Sequence, residues 1–485
     1  MRISVPIAVT VAAMLAFCVP AFPAHASDRL TLQAATPPAL SSLQRELDGI
    51  VRSELSPYTN AAIKVFSLKS GETLYEHNPR LLVTPASNQK LFTAATALSV
   101  LGKEREVITT VSVDDAWGTI FLKGCGDSLL TGRDLVELAT AASEKLDRNR
   151  PYRVVADLAC FDDLYWGKGW MWDDEPESDE MYITPLALDH NTVTVTVTPG
   201  KEARIPATVA LTPETPLVTV KNWTVTGGRE DEVTVKATRR PGERENVITV
   251  SGVVPVGADP VVKHLSVWKP ERIALAIFAD ALRARGITVT GLDTNYTTPQ
   301  SRVIARKKRP LGDLVAFGLK ESDNLSAESL IKLLGMVSTG QPGSAENGAV
   351  SIRLYLDRLG IPNDKMVIAD GSGVSRYNLT NVETIIRLLE AIYRDQRIYP
   401  TVYNALPVAG RDGTLAHRMA GTAAEGNVRG KTGNMTGVSS LSGYLHTADG
   451  EPLAFSMVIE NFVGPAKPVL EIQERILSIL CGFHR

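Results

Sequence analysis

The chain has 485 residues, 44% apolar and 22% charged, with a formal net charge of −3. That length exceeds one ordinary core and suggests about two to four domains. The near-neutral balance gives no footing for nucleic acid or a strongly anionic surface as partner. Four cysteines and seven histidines, none in metal-ligand spacing, point away from a catalytic metal, another cofactor or a disulfide framework.

At the N-terminus Arg2 precedes an apolar run from Val5 to Phe22. Ala24-His25-Ala26 follows, a small-x-small cleavage pattern before Ser27. Residues 1–26 therefore read as a signal peptide, and an exported, periplasmic or extracytoplasmic protein is expected. No later segment reaches the roughly 18 consecutive apolar residues of a span, so at most peripheral membrane association is expected. Cys125, Cys160 and Cys481 remain after cleavage; one bridge with a leftover thiol suits an oxidising compartment, and spacing alone does not choose the pair.

Residues 40–55 place Leu43, Leu47, Ile50 and Val51 on one helical stripe. A β-hairpin follows at 62–66 and 73–75 around Ser70-Gly71. Thr84-Pro85 opens a second helix that ends at Gly102. Alternating runs at 192–197, 217–220 and 246–250 read as short antiparallel strands, and helix returns at 270–285, closed by Gly286. The basic stretch Arg306-Lys307-Lys308-Arg309-Pro310 reads as a solvated loop. Helices dominate from there to about residue 400, then strands at 439–445 and 453–459 and a last helix at 465–480. Helix and strand at both ends around a strand-rich middle imply one domain split by a long insertion.

Three motifs stand in order: Ser87-Asn88-Gln89-Lys90, Ser322-Asp323-Asn324 and Lys431-Thr432-Gly433. The first pattern, SxxK, recurs at Ser266 and Ser329, but only Ser87 lies at a helix start, where the dipole favours developing negative charge. Lys90 is one turn along on the same face. A serine hydroxyl needs a base to take its proton as it attacks a carbonyl, and Lys90 serves only if its pKa is lowered. The ammonium of Lys431 would push it that way. Ser322 can relay the proton to a leaving amine, and Asn324 can hold a substrate amide. Lys431 and Thr432 suit a terminal carboxylate, and Gly433 lets an edge strand approach substrate backbone.

This ordered set occurs in penicillin-binding proteins and class A β-lactamases. The chain resembles the class C low-molecular-mass penicillin-binding proteins, the D-alanyl-D-alanine carboxypeptidase/endopeptidase family. The resemblance lies in PASNQKLFTAATAL (85–98), DGSGVSRYNL (370–379), LPVAGRDGTLAHRM (406–419) and GKTGNMTGVSSLSGYL (430–445). Weaker matches are GKGWMWDDE (167–175), YITPLALDHN (182–191) and SVWKP (266–270).

The resemblance implies an α+β multidomain protein. Residues 27–104 and 301–485 would form a transpeptidase/β-lactamase-like domain, an antiparallel sheet flanked by helices. The β-rich insertion would form two further domains, 105–190 with 256–300, and 191–255. Peptidoglycan stem peptides are the implied substrates and β-lactams the covalent inhibitors. The amides of Ser87 and Asn434 would form the oxyanion hole, and Asp157 would greet the free amine of the substrate's diamino acid. Asn434 stands where the family has Thr or Ser, and Gly124-Cys125-Gly126-Asp127-Ser128-Leu129-Leu130 where it has GGGDPTL. The rival readings are a β-lactamase or esterase using the same triad, and a non-catalytic cell-wall-binding scaffold.

Overall fold

The computed structural model describes residues 38–175, 177–295 and 300–485; the expected signal peptide lies outside them. The first amphipathic stripe forms α1 (Pro38–Glu54), which buries Leu40, Leu43, Leu47, Ile50 and Val51. A hairpin follows, β1 (Asn60–Ser67) and β2 (Thr73–His77), and then α2 (Gln89–Leu101), entered through a 3-10 turn at Ala86–Asn88. Residues 89–98 of α2 are all buried, as befits a helix that is apolar on most of its faces.

The middle of the chain holds β3 (Glu106–Asp114), β4 (Thr119–Lys123), α3 (Gly132–Ser143) and β5 (Tyr152–Asp157). Next come β6 (Thr192–Thr198), β7 (Thr208–Thr212), β8 (Thr219–Gly227), β9 (Lys236–Arg239), β10 (Val247–Pro255) and β11 (Val261–Ser266). Then follow α4 (Pro270–Arg283), β12 (Val289–Asn295) and β13 (Arg302–Pro310). The helices α5 (Leu311–Lys320), α6 (Asn324–Thr339), α7 (Ala345–Arg358), α8 (Val382–Arg394) and α9 (Tyr399–Ala405) precede β14 (Arg429–Met435), β15 (Val438–His446), β16 (Pro452–Glu460) and α10 (Lys467–Cys481).

The terminal strands build one antiparallel sheet in the order β14-β15-β16-β1-β2. α1 and α10 pack their apolar stripes into one core with it. A second core gathers α2 with α5, α6, α7 and α8. Three further sheets come from the middle: β12-β5-β4-β3-β13, β11-β6-β7 and β8-β10-β9. They share a third core around Val154, Val195, Ile248 and Phe278. The architecture is α+β.

Two expectations are corrected here. β8 and β10 pair in parallel, not antiparallel. Parallel neighbours need a long crossover, and residues 228–246 supply it, with β9 then adding antiparallel to β10's other edge. The basic stretch at 306–310 is not a loop but the end of β13, antiparallel to β3. Ile304 and Ala305 turn inward there, while Lys307, Lys308 and Arg309 find carboxylates on neighbouring elements. The cysteine question is also resolved: Cys125 and Cys160 form a disulfide, and Cys481 is a buried thiol.

Candidate active site

Ser87 lies in the 3-10 turn, two residues before α2 begins, and is half-buried. The turn is strained: Ala86 has φ +47°, a conformation that costs a non-glycine residue about 1–3 kcal/mol and persists only where its surroundings enforce it. They do so here through Asn88, whose amide donates to Lys431 O at 3.2 Å and Ser440 Oγ at 2.6 Å. Ser440 Oγ in turn donates to Pro85 O at 2.8 Å. The turn that carries Ser87 is thus tied to β14 and β15 at both ends.

Lys90 Nζ donates to three oxygens from three parts of the chain. Ser87 Oγ lies at 2.9 Å, Asn324 Oδ1 at 2.6 Å and Ser372 O at 2.8 Å. The lysine is almost fully buried, and burial lowers its pKa to about 8 against the opposing charges of Asp370, Asp323, Glu328 and Asp179. Burial is the main cause of that lowering. Asn324 opens α6, and its Nδ2 donates to Asp179 O at 2.7 Å, so a carbonyl of the middle segment fixes which way the amide faces. Asp323 caps the same helix through Ser326 N, and His190 Nδ1 lies 3.4 Å from its other oxygen.

Lys431 is buried on β14. Its Nζ donates to Ser322 Oγ and to Thr432 O, both at 2.8 Å. Burial, then the charge of Lys90, hold it well below the ordinary lysine range. Ser322 also takes a left-handed conformation, φ +62°. Thr432 Oγ1 shares a hydrogen bond of 2.6 Å with Thr414 Oγ1. Gly433 is also needed for packing within the protein itself. A Cβ there would stand 2.7 Å from Ser87 N and 2.3 Å from Ser440 Oγ, so the strand lies close against the turn that carries Ser87. Asn434 is exposed beside it and accepts from Ser439 Oγ at 3.0 Å.

Ser87, Ser322, Asn324, Thr432, Gly433 and Asn434 line one cleft of about 880 Å³. Asp157 does not. It ends β5, is buried, accepts from Ala159 N at 3.0 Å and pairs with Lys123 at 3.6 Å. Acidic side chains of the middle segment do line the cleft, namely Asp174, Asp179 and Glu180. Burial first, then the charges of Asp179, Asp174 and Glu177, raise Glu180 to about 8. Sequence reasoning gave no role to these, nor to Arg376, Thr414 and the Ser372 carbonyl, although the stretches 167–175, 370–379 and 406–419 held most of them.

A model of the D-Ala-D-Ala carboxypeptidase 3 (S13) family matches residues 43–478. The chain is 34% identical over 467 residues to a D-alanyl-D-alanine carboxypeptidase of Actinomadura sp. (strain R39), across 92% of this chain and 85% of that one. It is 24% identical over 420 residues to D-alanyl-D-alanine carboxypeptidase DacB of Haemophilus influenzae, across 83% and 86%. Its fold is that of penicillin binding protein 4 (dacB) from Haemophilus influenzae, with a TM-score of 0.79 at 23% identity over 90% of this chain and 99% of that one. The β-lactam complex of the same protein matches with a TM-score of 0.72 at 22% identity, over 89% and 98%. The chain belongs to the D-Ala-D-Ala carboxypeptidase 3 (S13) family.

Proposed function

We propose that the protein is a serine D-Ala-D-Ala carboxypeptidase that acts on peptidoglycan stem peptides outside the cytoplasm, with Ser87 as nucleophile. The observation that carries the reading is the Lys90 amine, 2.9 Å from Ser87 Oγ and tuned by burial to about 8. An amine of that pKa is partly neutral at working pH, as a general base must be. Ser87 Oγ attacks the carbonyl of the penultimate D-alanine as its proton passes to Lys90 Nζ. The developing oxyanion is received by the amides of Ser87 and Asn434. The proton reaches the leaving amine through Ser322, terminal D-alanine departs, and water then hydrolyses the acyl-serine.

Lys431 and Thr432 receive the terminal carboxylate. A carboxylate arriving there favours charge on Lys431, and that ammonium disfavours a second one on Lys90. Substrate binding thereby drives the base to its neutral form. The acidic wall of the cleft, rather than Asp157, is suited to a cationic amine on the stem peptide. The same acyl transfer on a cross-linked peptide gives DD-endopeptidase activity, and β-lactams acylate the same serine. A disulfide between Cys125 and Cys160 suits an oxidising, extracytoplasmic location. Among the described residues no helix is long and apolar enough to cross a membrane.

Intact-mass measurement after exposure to a fluorescent penicillin should show one adduct, absent from Ser87→Ala. Purified muropeptides should lose terminal D-alanine, and cross-linked ones should open if the endopeptidase reading holds. An adduct that survives in Ser87→Ala, or maps to Ser266 or Ser329, overturns the assignment. Rapid hydrolysis of the penicilloyl adduct would favour a β-lactamase instead.

A further inference from the structure

Glu328 is a buried carboxylate that the steps above do not use. It sits one turn after Asn324 on α6 and has no exposed surface. Its Oε1 accepts the backbone N–H of Gly371 at 3.0 Å and of Ser372 at 2.8 Å. The carbonyl of that same Ser372 accepts from Lys90 Nζ at 2.8 Å. The other oxygen, Oε2, has no hydrogen-bond partner among the described residues. A half-satisfied buried carboxylate is expensive to keep, and one that grips the peptide unit holding the base has a role to match the expense.

We propose that Glu328 is a positioning residue for acylation: it fixes the Gly371-Ser372 turn so that the Ser372 carbonyl holds Lys90, and it stations a buried carboxylate one residue away from that contact. The inference rests on Lys90 being the base. Geometry alone does not require a carboxylate, because a glutamine oxygen could accept both N–H groups. What the carboxylate adds is charge. Together with Asp370 on the facing loop, Asp323 before α6 and Asp179 from the middle segment, it favours the Lys90 ammonium and opposes the effect of burial. Lys431, on β14, acts in the other direction.

The surroundings of Glu328 are themselves charged. Burial and then Asp370 raise it to about 7, while Lys332, one turn further along α6, draws it down. Lys332 is committed to Asp162 at 2.5 Å. Glu328 and Lys332 border a cavity of about 330 Å³ whose other charged groups are Asp162, Lys168, Glu346, Arg353 and Asp370. Around pH 8, where Lys90 titrates, Glu328 is mostly ionised, and removing its charge should move the lysine lower.

The test is the second-order rate of acylation by a fluorescent penicillin, from pH 5 to 10, in the full chain and in Glu328→Gln and Glu328→Ala. The glutamine variant should keep the high-pH plateau within a few-fold and shift the acid limb to lower pH. Its gain at pH 7 is bounded near about tenfold, since about a tenth of a group titrating near 8 is neutral there. Glu328→Ala releases the turn and should lose roughly 10–100-fold at every pH, the scale of a misplacement near 1 Å. An unshifted acid limb in the glutamine variant overturns the charge role, and an alanine variant within threefold of the parent overturns the positioning role. A glutamine variant as slow as the alanine one at every pH points to a structural residue only. If Glu328→Ala does not fold, the glutamine profile decides alone. A parent enzyme with no acid limb between pH 6 and 9 would remove Lys90 as the base, a failure distinct from these.

Discussion

Gly433→Ala should slow acylation of Ser87 about 100-fold in a protein that still folds. The added Cβ would stand 2.7 Å from Ser87 N, 3.0 Å from Ala86 Cβ and 2.3 Å from Ser440 Oγ. Ordinary contact begins near 3.4 Å, so β14 and the nucleophile turn must part by about 0.7 Å. Ser440 must also swing away, giving up its bonds to Pro85 O and Asn88 Nδ2. Overpacking of this kind costs about 1–3 kcal/mol, and a nucleophile displaced by close to 1 Å loses on the order of 100-fold in rate. The assay is the acylation rate with a fluorescent penicillin, alongside the denaturant midpoint. Adding Ser440→Ala separates the two clashes: stability should partly return, because the hydroxyl is gone, while acylation stays slow, because the Ser87 amide is still in the way. A Gly433→Ala protein that acylates within threefold of the parent at unchanged stability would refute the reasoning.

Three other outcomes are expected. The acylation rate of the parent should rise with pH through a single ionisation near 8, as burial-lowered Lys90 gives up its proton, and Lys90→Ala should lose that limb with about 10²–10⁴-fold of the rate. Replacing both Cys125 and Cys160 by serine should cost about 2–4 kcal/mol, read from the denaturant midpoint, because the bridge closes a loop spanning a sequence separation of 35. Arg239→Met strands Glu175, which is buried and otherwise held by Tyr182 Oη and Gly242 N; a loss of about 3–5 kcal/mol is expected, and a change under 1 kcal/mol would show that the pair is not dry.

What could be read from the sequence is what local physics writes there. The stripe of α1, the alternation of β15 and β16 and the turn at Gly102 are short-range patterns, and each element formed within a few residues of its expected place. β13 escaped because its charges mask a strand. Its basic side chains are answered by Asp134, Glu106 and Asp127, which lie some 170 to 200 positions away in sequence. Strand polarity escaped likewise. Alternation says that Leu217–Val220 is a strand and nothing about which neighbour it takes, and β8 met β10 in parallel only because residues 228–246 could cross over. The pairing of Cys125 with Cys160 rather than Cys481 is a matter of distance in the folded chain.

The site divides along the same line. Ser87 and Lys90 are legible because three residues make one helical turn, and their contact of 2.9 Å follows from local geometry. Ser322, Asn324, Lys431 and Thr432 are legible as residue types in a meaningful order. What gives Lys90 its chemistry is not written in any motif. Its amine is held by a side chain from α6 and by the backbone carbonyl of Ser372, which any residue could supply. Asn324 is in turn oriented by the carbonyl of Asp179, again a backbone atom and one from the middle of the chain. The middle segment therefore reaches Lys90 through the Asn324 amide, at a distance of two hydrogen bonds. Asp157 rests on the resemblance alone, and in the fold it ends β5 against Lys123, outside the lining of the cleft. The middle segment meets the motifs through the Asp179 carbonyl and through His190, 3.4 Å from Asp323, and its acidic residues in the cleft lie some twenty positions beyond Asp157.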